Sequence, residues 1–144
     1  MAKPTKADAD LLLRLYEIRR EPEMRKARQW FLHVFQPSDW ETLKKQRMTG
    51  TDEDRYIRMV TSYWDMVSAL VEQGVLNKQL FFSTNGENVV IWNKVKPWIE
   101  EVRREMNRPT YLKNLETLVE EHLLWRQKQT DQILKTQGRH GKKK

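Results

Sequence analysis

Along most of this chain apolar residues recur every three or four positions, the spacing of amphipathic helices. Leu11, Leu12, Leu15, Tyr16 and Ile18 follow Asp8 and Asp10 and predict a first helix from about Asp8 to Arg20. Pro22 can sit in the first turn of a second helix, whose stripe is Met24, Ala27, Trp30, Phe31, Val34 and Phe35, with Pro37 ending it. Ser38 and Glu41 have the spacing of a capping box and open a short third helix carrying Trp40 and Leu43. The most regular stretch runs from Thr51 to about Gln73. Its buried side is predicted to carry Tyr56, Val60, Tyr63, Trp64, Val67, Leu70 and Val71, and its outer side Asp54, Arg58, Thr61, Asp65, Ser68 and Glu72. Gly74 suits the left-handed position that ends such a helix.

Beyond that corner, Asn77 can cap a short helix holding Leu80, Phe81 and Phe82. Thr84 and Glu87 then have the spacing of another capping box, ahead of a stripe from Val89 to Met106. Pro97 interrupts that segment. It either kinks one helix near Asn93 or opens a second helix, and the unbroken phase of the stripe favours the kink. After Asn107-Arg108-Pro109-Thr110, a last helix starts with Tyr111, Leu112, Leu115, Leu118, Val119, Leu123 and Trp125. The expectation is an all-α fold, a compact bundle of six or seven helices. A single domain over 8–137 follows a flexible basic lead-in over 1–7 and precedes a disordered basic tail over 138–144.

Charge sharpens this division. The chain has 27 Lys and Arg against 20 Asp and Glu, a formal net charge of +7. The excess lies in Lys3 and Lys6 at one end and Lys135, Arg139, Lys142, Lys143 and Lys144 at the other, so 8–134 is formally neutral. A nucleic-acid binder carries its basic footprint mainly on the folded surface, so the overall charge does not by itself point to nucleic acid. The absence of cysteine excludes disulfides, thiolate metal sites and a cysteine nucleophile. Leu11–Leu13 and Val89–Trp92 are the longest apolar runs, too short for a membrane span, so the expected setting is cytoplasmic.

Candidate chemistry is sparse. His33, His122 and His140 lack the i, i+4 partner of a zinc-protease helix, and Val119 stands where a di-iron motif needs Glu before His122. Packing or flanking roles suit His33 and His122 better than metal ligation, so neither metal nor cofactor is expected. Gly86 is a lone turn glycine without the spacing of a phosphate loop. Glu100/Glu101 and Glu120/Glu121 are adjacent pairs that point apart on a helix. No nucleophile, base and orienting group fall together, so no catalytic residue is assigned and the chain reads as non-enzymatic.

Two sets of residues remain as candidates for binding. Trp40, on a short helix beside a chain break, is expected to be half exposed, and Ile133 and Leu134 lie beyond the evident core. These fit a helical interaction or scaffold module that meets a protein partner or a second copy of itself. The other five tryptophans fall on apolar stripes and are assigned to the core. The alternative is nucleic-acid association through Arg25, Lys26, Arg28, Lys44, Lys45 and Arg47 together with the tail. Glu17, Glu21 and Glu23 interleave with the first group, which favours local neutralisation by one-turn pairs.

Tyr63-Trp64-Asp65-Met66-Val67, Leu70, Gly74-Val75-Leu76, Leu80-Phe81-Phe82, Gly86, Trp92 and Pro97-Trp98-Ile99 together resemble a bacterial family of helical domains of unknown function. The likeness covers about half the chain. In that pattern a helix ends at glycine, a short aromatic helix follows, and a tryptophan-bearing helix leads to a basic segment, here Arg103-Arg104. The resemblance implies an all-helical fold and brings no catalytic or ligand residue. Members of such families often carry an N-terminal membrane helix, for which this sequence has no apolar run of sufficient length.

Overall fold

The computed structural model describes residues 2–36, 39–47 and 49–141. Among them there are α-helices and one 3-10 turn, and no strand. The helices are α1 (Lys6–Arg19), α2 (Pro22–His33), α3 (Trp40–Gln46), α4 (Asp52–Glu72), α5 (Lys78–Thr84), α6 (Glu87–Val95), α7 (Ile99–Glu105) and α8 (Lys113–Gly141). Since α6 and α7 divide one expected segment, the described residues contain seven helical units, within the expected six or seven. Helices α2 and α8 pack along α4, and α6 packs on both α4 and α8.

Local chemistry sets where each helix begins. Thr5 and Asp8 form a capping box, with Thr5 Oγ1 accepting from Asp8 N at 3.2 Å and Asp8 Oδ2 from Thr5 N at 2.7 Å. The helix therefore starts at Lys6, inside the stretch expected as a flexible lead-in. Asp8 Oδ1 also accepts from Asn77 N at 2.8 Å, tying α1 to the corner between α4 and α5. Pro22 opens α2 as expected. For α3 the capping side chain is Asp39, which accepts from Thr42 N at 2.7 Å; Pro37 and Ser38 lie outside the described residues. Gly74 adopts φ +76° after α4, and Val75 N and Leu76 N both donate to Leu70 O.

The C-terminus of α2 is closed from a distance. Lys94 of α6 sends its ammonium to three carbonyls, Phe31 O at 2.7 Å, Leu32 O at 2.9 Å and Phe35 O at 2.8 Å. These acceptors have no partner within the helix, and a cation there also meets the negative end of the helix dipole.

Two expectations are corrected. Pro97 divides its helix: a 3-10 turn, Lys96–Trp98, separates α6 from α7 in place of a simple kink. Proline cannot donate one turn back, and local tightening absorbs that loss while Trp98, Ile99 and Val102 stay buried in phase. The outer side of α4 is also not solvent-facing along its length, for Asp54, Thr61 and Ser68 are buried. Thr61 Oγ1 and Ser68 Oγ donate to the carbonyls of Ile57 and Trp64, so small hydroxyls satisfy themselves and leave room for a neighbouring helix. That neighbour is α8: Asp65 accepts from Leu115 N at 3.0 Å and from Asn114 Nδ2 at 3.2 Å, at the start of α8. At the other end of the chain α8 runs through Gly138 to Gly141. A helix already propagating can absorb the roughly 1 kcal/mol cost of a glycine. Lys142, Lys143 and Lys144 lie outside the described residues.

Candidate functional site

The densest polar arrangement joins α1, α2, α4 and α6 at Glu87. Its capping-box spacing with Thr84 predicted a local role, but α6 has Gly86 at its cap with no side-chain bond there. Thr84 Oγ1 instead donates to Leu80 O. The Glu87 carboxylate turns inward and takes both nitrogens of the Arg28 fork, Nε at 2.8 Å and Nη2 at 2.5 Å. Arg19 Nη2 reaches the same carboxylate at 2.8 Å, and Trp64 Nε1 lies at 3.4 Å from it. Burial works against the charge of Glu87, but the Arg28 hydrogen bonds and the charges of Arg19 and Arg28 win and hold its pKa below the usual range. Tyr63 packs beside this group and donates to Leu15 O at 2.7 Å; burial pushes its phenol up to about 12.

A second buried polar pair lies between α6 and α8. His122 has no exposed surface and stacks on Phe82 with centroids 4.5 Å apart. Its Nε2 sits 3.1 Å from Phe82 O and its Nδ1 3.2 Å from Asn88 Nδ2. A carbonyl can only accept and an amide nitrogen can only donate, so the imidazole is neutral with its proton on Nε2. Burial, aided by the charge of Arg126, lowers its pKa to about 4. This is the packing role expected for His122. His33 is exposed in the last turn of α2. Among the described residues no group of three or more His, Asp or Glu could hold a metal ion.

The candidate anion contacts are scattered and largely engaged. Arg28 is committed to Glu87. Lys44 pairs with Glu105 at 3.0 Å, across to α7. Arg47 is mostly buried, 3.9 Å from Asp54. Lys26 meets Glu23 at 3.4 Å, a one-turn pair of the expected kind, and Arg25 Nη2 donates to Arg20 O. Lys45 is exposed near Asp39. The neutralisation is thus mostly between elements, through acids that sequence spacing could not associate with these bases. Arg103 behaves likewise: it is buried, bonds Tyr111 O at 2.9 Å and pairs with Glu116 at 2.9 Å, clasping the loop before α8.

Of the candidate interaction residues, Trp40 is corrected. It is 5% exposed and stacks on Trp98 with centroids 6.5 Å apart, because the single apolar side of α3 is spent on the body. Ile133 and Leu134 are open, at 57% and 60% exposure. On α8 the buried line passes through Leu115, Val119 and His122, and steps of four, three and four residues carry it through Arg126 and Gln129 to Ile133. Residues 130–141 are exposed all round. They extend about 18 Å at the helical rise.

The architecture defines an all-α domain built around one long central helix, with buried ionic and histidine clusters joining its layers. The chain belongs to the DUF4760 family, a domain of unknown function, whose pattern matches residues 4–122. No curated protein and no solved structure matches it. The matched span ends at His122, so the outer half of α8 lies beyond it. No described helix is long and apolar enough to cross a membrane.

Proposed function

We propose that this domain is a non-enzymatic interaction module and that the outer half of α8 is the surface it presents to a protein partner. The observation that carries this reading is Ile133, exposed on the same helical line that buries Leu115, Val119 and His122 against the body. Such a face gains by being covered. Around it, Arg126, Lys128, Lys135 and Arg139 outnumber Asp131. Two such arms side by side would repel, so the favoured occupant is a groove with acidic edges and an apolar floor.

The double variant Ile133→Asp, Leu134→Asp tests this. The expected result is an unchanged unfolding midpoint, because neither side chain packs on the body, together with loss of a partner that copurifies stoichiometrically with the unaltered chain. Identical copurifying proteins for both chains, with both monomeric by light scattering at high concentration, would overturn it.

A further inference from the structure

Beside the Glu87 cluster a cavity of about 390 Å³ opens between α1, α4 and α5. Its walls are apolar and aromatic, formed chiefly by Leu12, Leu13, Tyr16, Trp64 and Phe81, and Arg19 supplies the one cationic group among the residues that line it. Concave apolar sites with a few convergent polar groups are where small ligands bind, and this volume is within their usual range. The cavity is distinct from the α8 surface.

Its electrostatics are unbalanced. Arg19 and Arg28 share the single carboxylate of Glu87, so the group carries an excess positive charge while its members are mostly buried. Arg19 Nε has no hydrogen-bond partner. The Arg19 guanidinium also lies over the rings of Trp64 and Tyr16, at 5.2 and 5.8 Å from their centroids. Arg20, 5.6 Å from the Tyr16 ring, adds a second positive group near that wall. A buried cationic excess costs free energy that a bound anion would recover.

We infer that this cavity is a binding site for a small amphipathic organic anion, a monocarboxylate whose hydrocarbon body lies against Leu12, Leu13 and Phe81 and whose charged head meets Arg19. Neither half of that chemistry suffices alone: a fully polar anion leaves the leucine and aromatic walls uncovered and finds few polar groups beside Arg19, chiefly Tyr16, Thr84 and Asn85, and a neutral chain leaves the guanidinium excess unmet.

The test uses three probes on the full chain at neutral pH: decanoate below its micellar concentration, decanol and acetate. The readout is the Trp64 indole N–H resonance, since that group touches Glu87 and its ring forms part of the wall. Decanoate is expected to shift it saturably, with decanol weaker by about tenfold or more, the value of one charge-assisted hydrogen bond, and acetate weaker by at least as much because it lacks the hydrocarbon body. Arg19→Gln is expected to abolish the preference for decanoate over decanol. Because that change also disturbs the Glu87 cluster, Leu13→Asp serves as the second variant: Leu13 is 60% exposed, so the fold should persist while the new carboxylate repels the ligand about tenfold. Equal binding of decanol or of acetate, a non-saturable shift with decanoate, or undiminished decanoate binding by Leu13→Asp would each overturn the assignment.

Discussion

His122 shows what a single buried titratable group does to the molecule. Its folded pKa is about 4 against an ordinary 6.5, lowered chiefly by burial. Below pH 6.5 the unfolded chain therefore binds a proton that the folded chain refuses. Its contribution is fully present above pH 6.5, shrinks as pH falls toward 4, and changes no further below that. A folded value of about 4 in place of 6.5 corresponds to about 3 kcal/mol. Urea unfolding between pH 7.5 and 4 should show this loss. His122→Gln, which cannot titrate, should flatten that part of the profile and leave only the carboxylate contribution at its acid end. The packing role of His122 was legible from its place between Leu118 and Trp125, whereas its partners Asn88 and Phe82 O, 34 and 40 residues away, were not.

At the scale of elements, α4 separates what a periodic pattern can reveal from what it cannot. Its limits and its apolar side follow from Thr51, Gly74 and the stripe Val60, Tyr63, Trp64, Val67 and Val71. The misread side carries Thr61, Asp65 and Ser68, polar residues that resemble a wetted face in sequence. They are instead small, self-satisfied or paired groups at a helix contact, and hydropathy alone does not distinguish the two. The difference is measurable. Ser68→Leu should cost about 1–3 kcal/mol by overfilling a site with no exposed surface. Ser62→Leu, on the exposed side of the same helix, should stay within about 0.5 kcal/mol. Glu87 was misread for a related reason: a capping-box spacing is local, while the residue answers to two arginines 59 and 68 positions away. Trp40 belongs with these cases, because a seven-residue helix has too little pattern to say which way it leans.

For the whole molecule, α8 is one helix with two unlike halves. Its first part is buried against α4 and α6, while residues 130–141 are exposed. Isolated helices of about 12–15 residues are marginal in water, so the outer part depends on propagation from the inner one. Hydrogen exchange should therefore show strong protection around Leu115 to His122 and a decline toward peptide-like rates past Thr130. Uniform protection along the helix in the monomer would mean that the arm is held by contacts with the body. The sequence announced this feature through the thinning of apolar residues after Trp125. It did not announce how far the helix would continue, because nothing after Trp125 forbids helix and nothing packs to define its end.

The bond from Asp8 to the Asn77 amide has a temporal corollary. These two residues are 69 apart, and Arg19 and Glu87 are 68 apart, so part of the dock of α1 lies in chain that follows much later. Translation at about 5–20 residues per second leaves the nascent α1, with Leu11 and Leu12 not yet fully covered, waiting for roughly 3–14 seconds before the corner at Gly74 and the start of α6 have been made. During that interval the ribosome holds out a short greasy segment of the kind that chaperones engage.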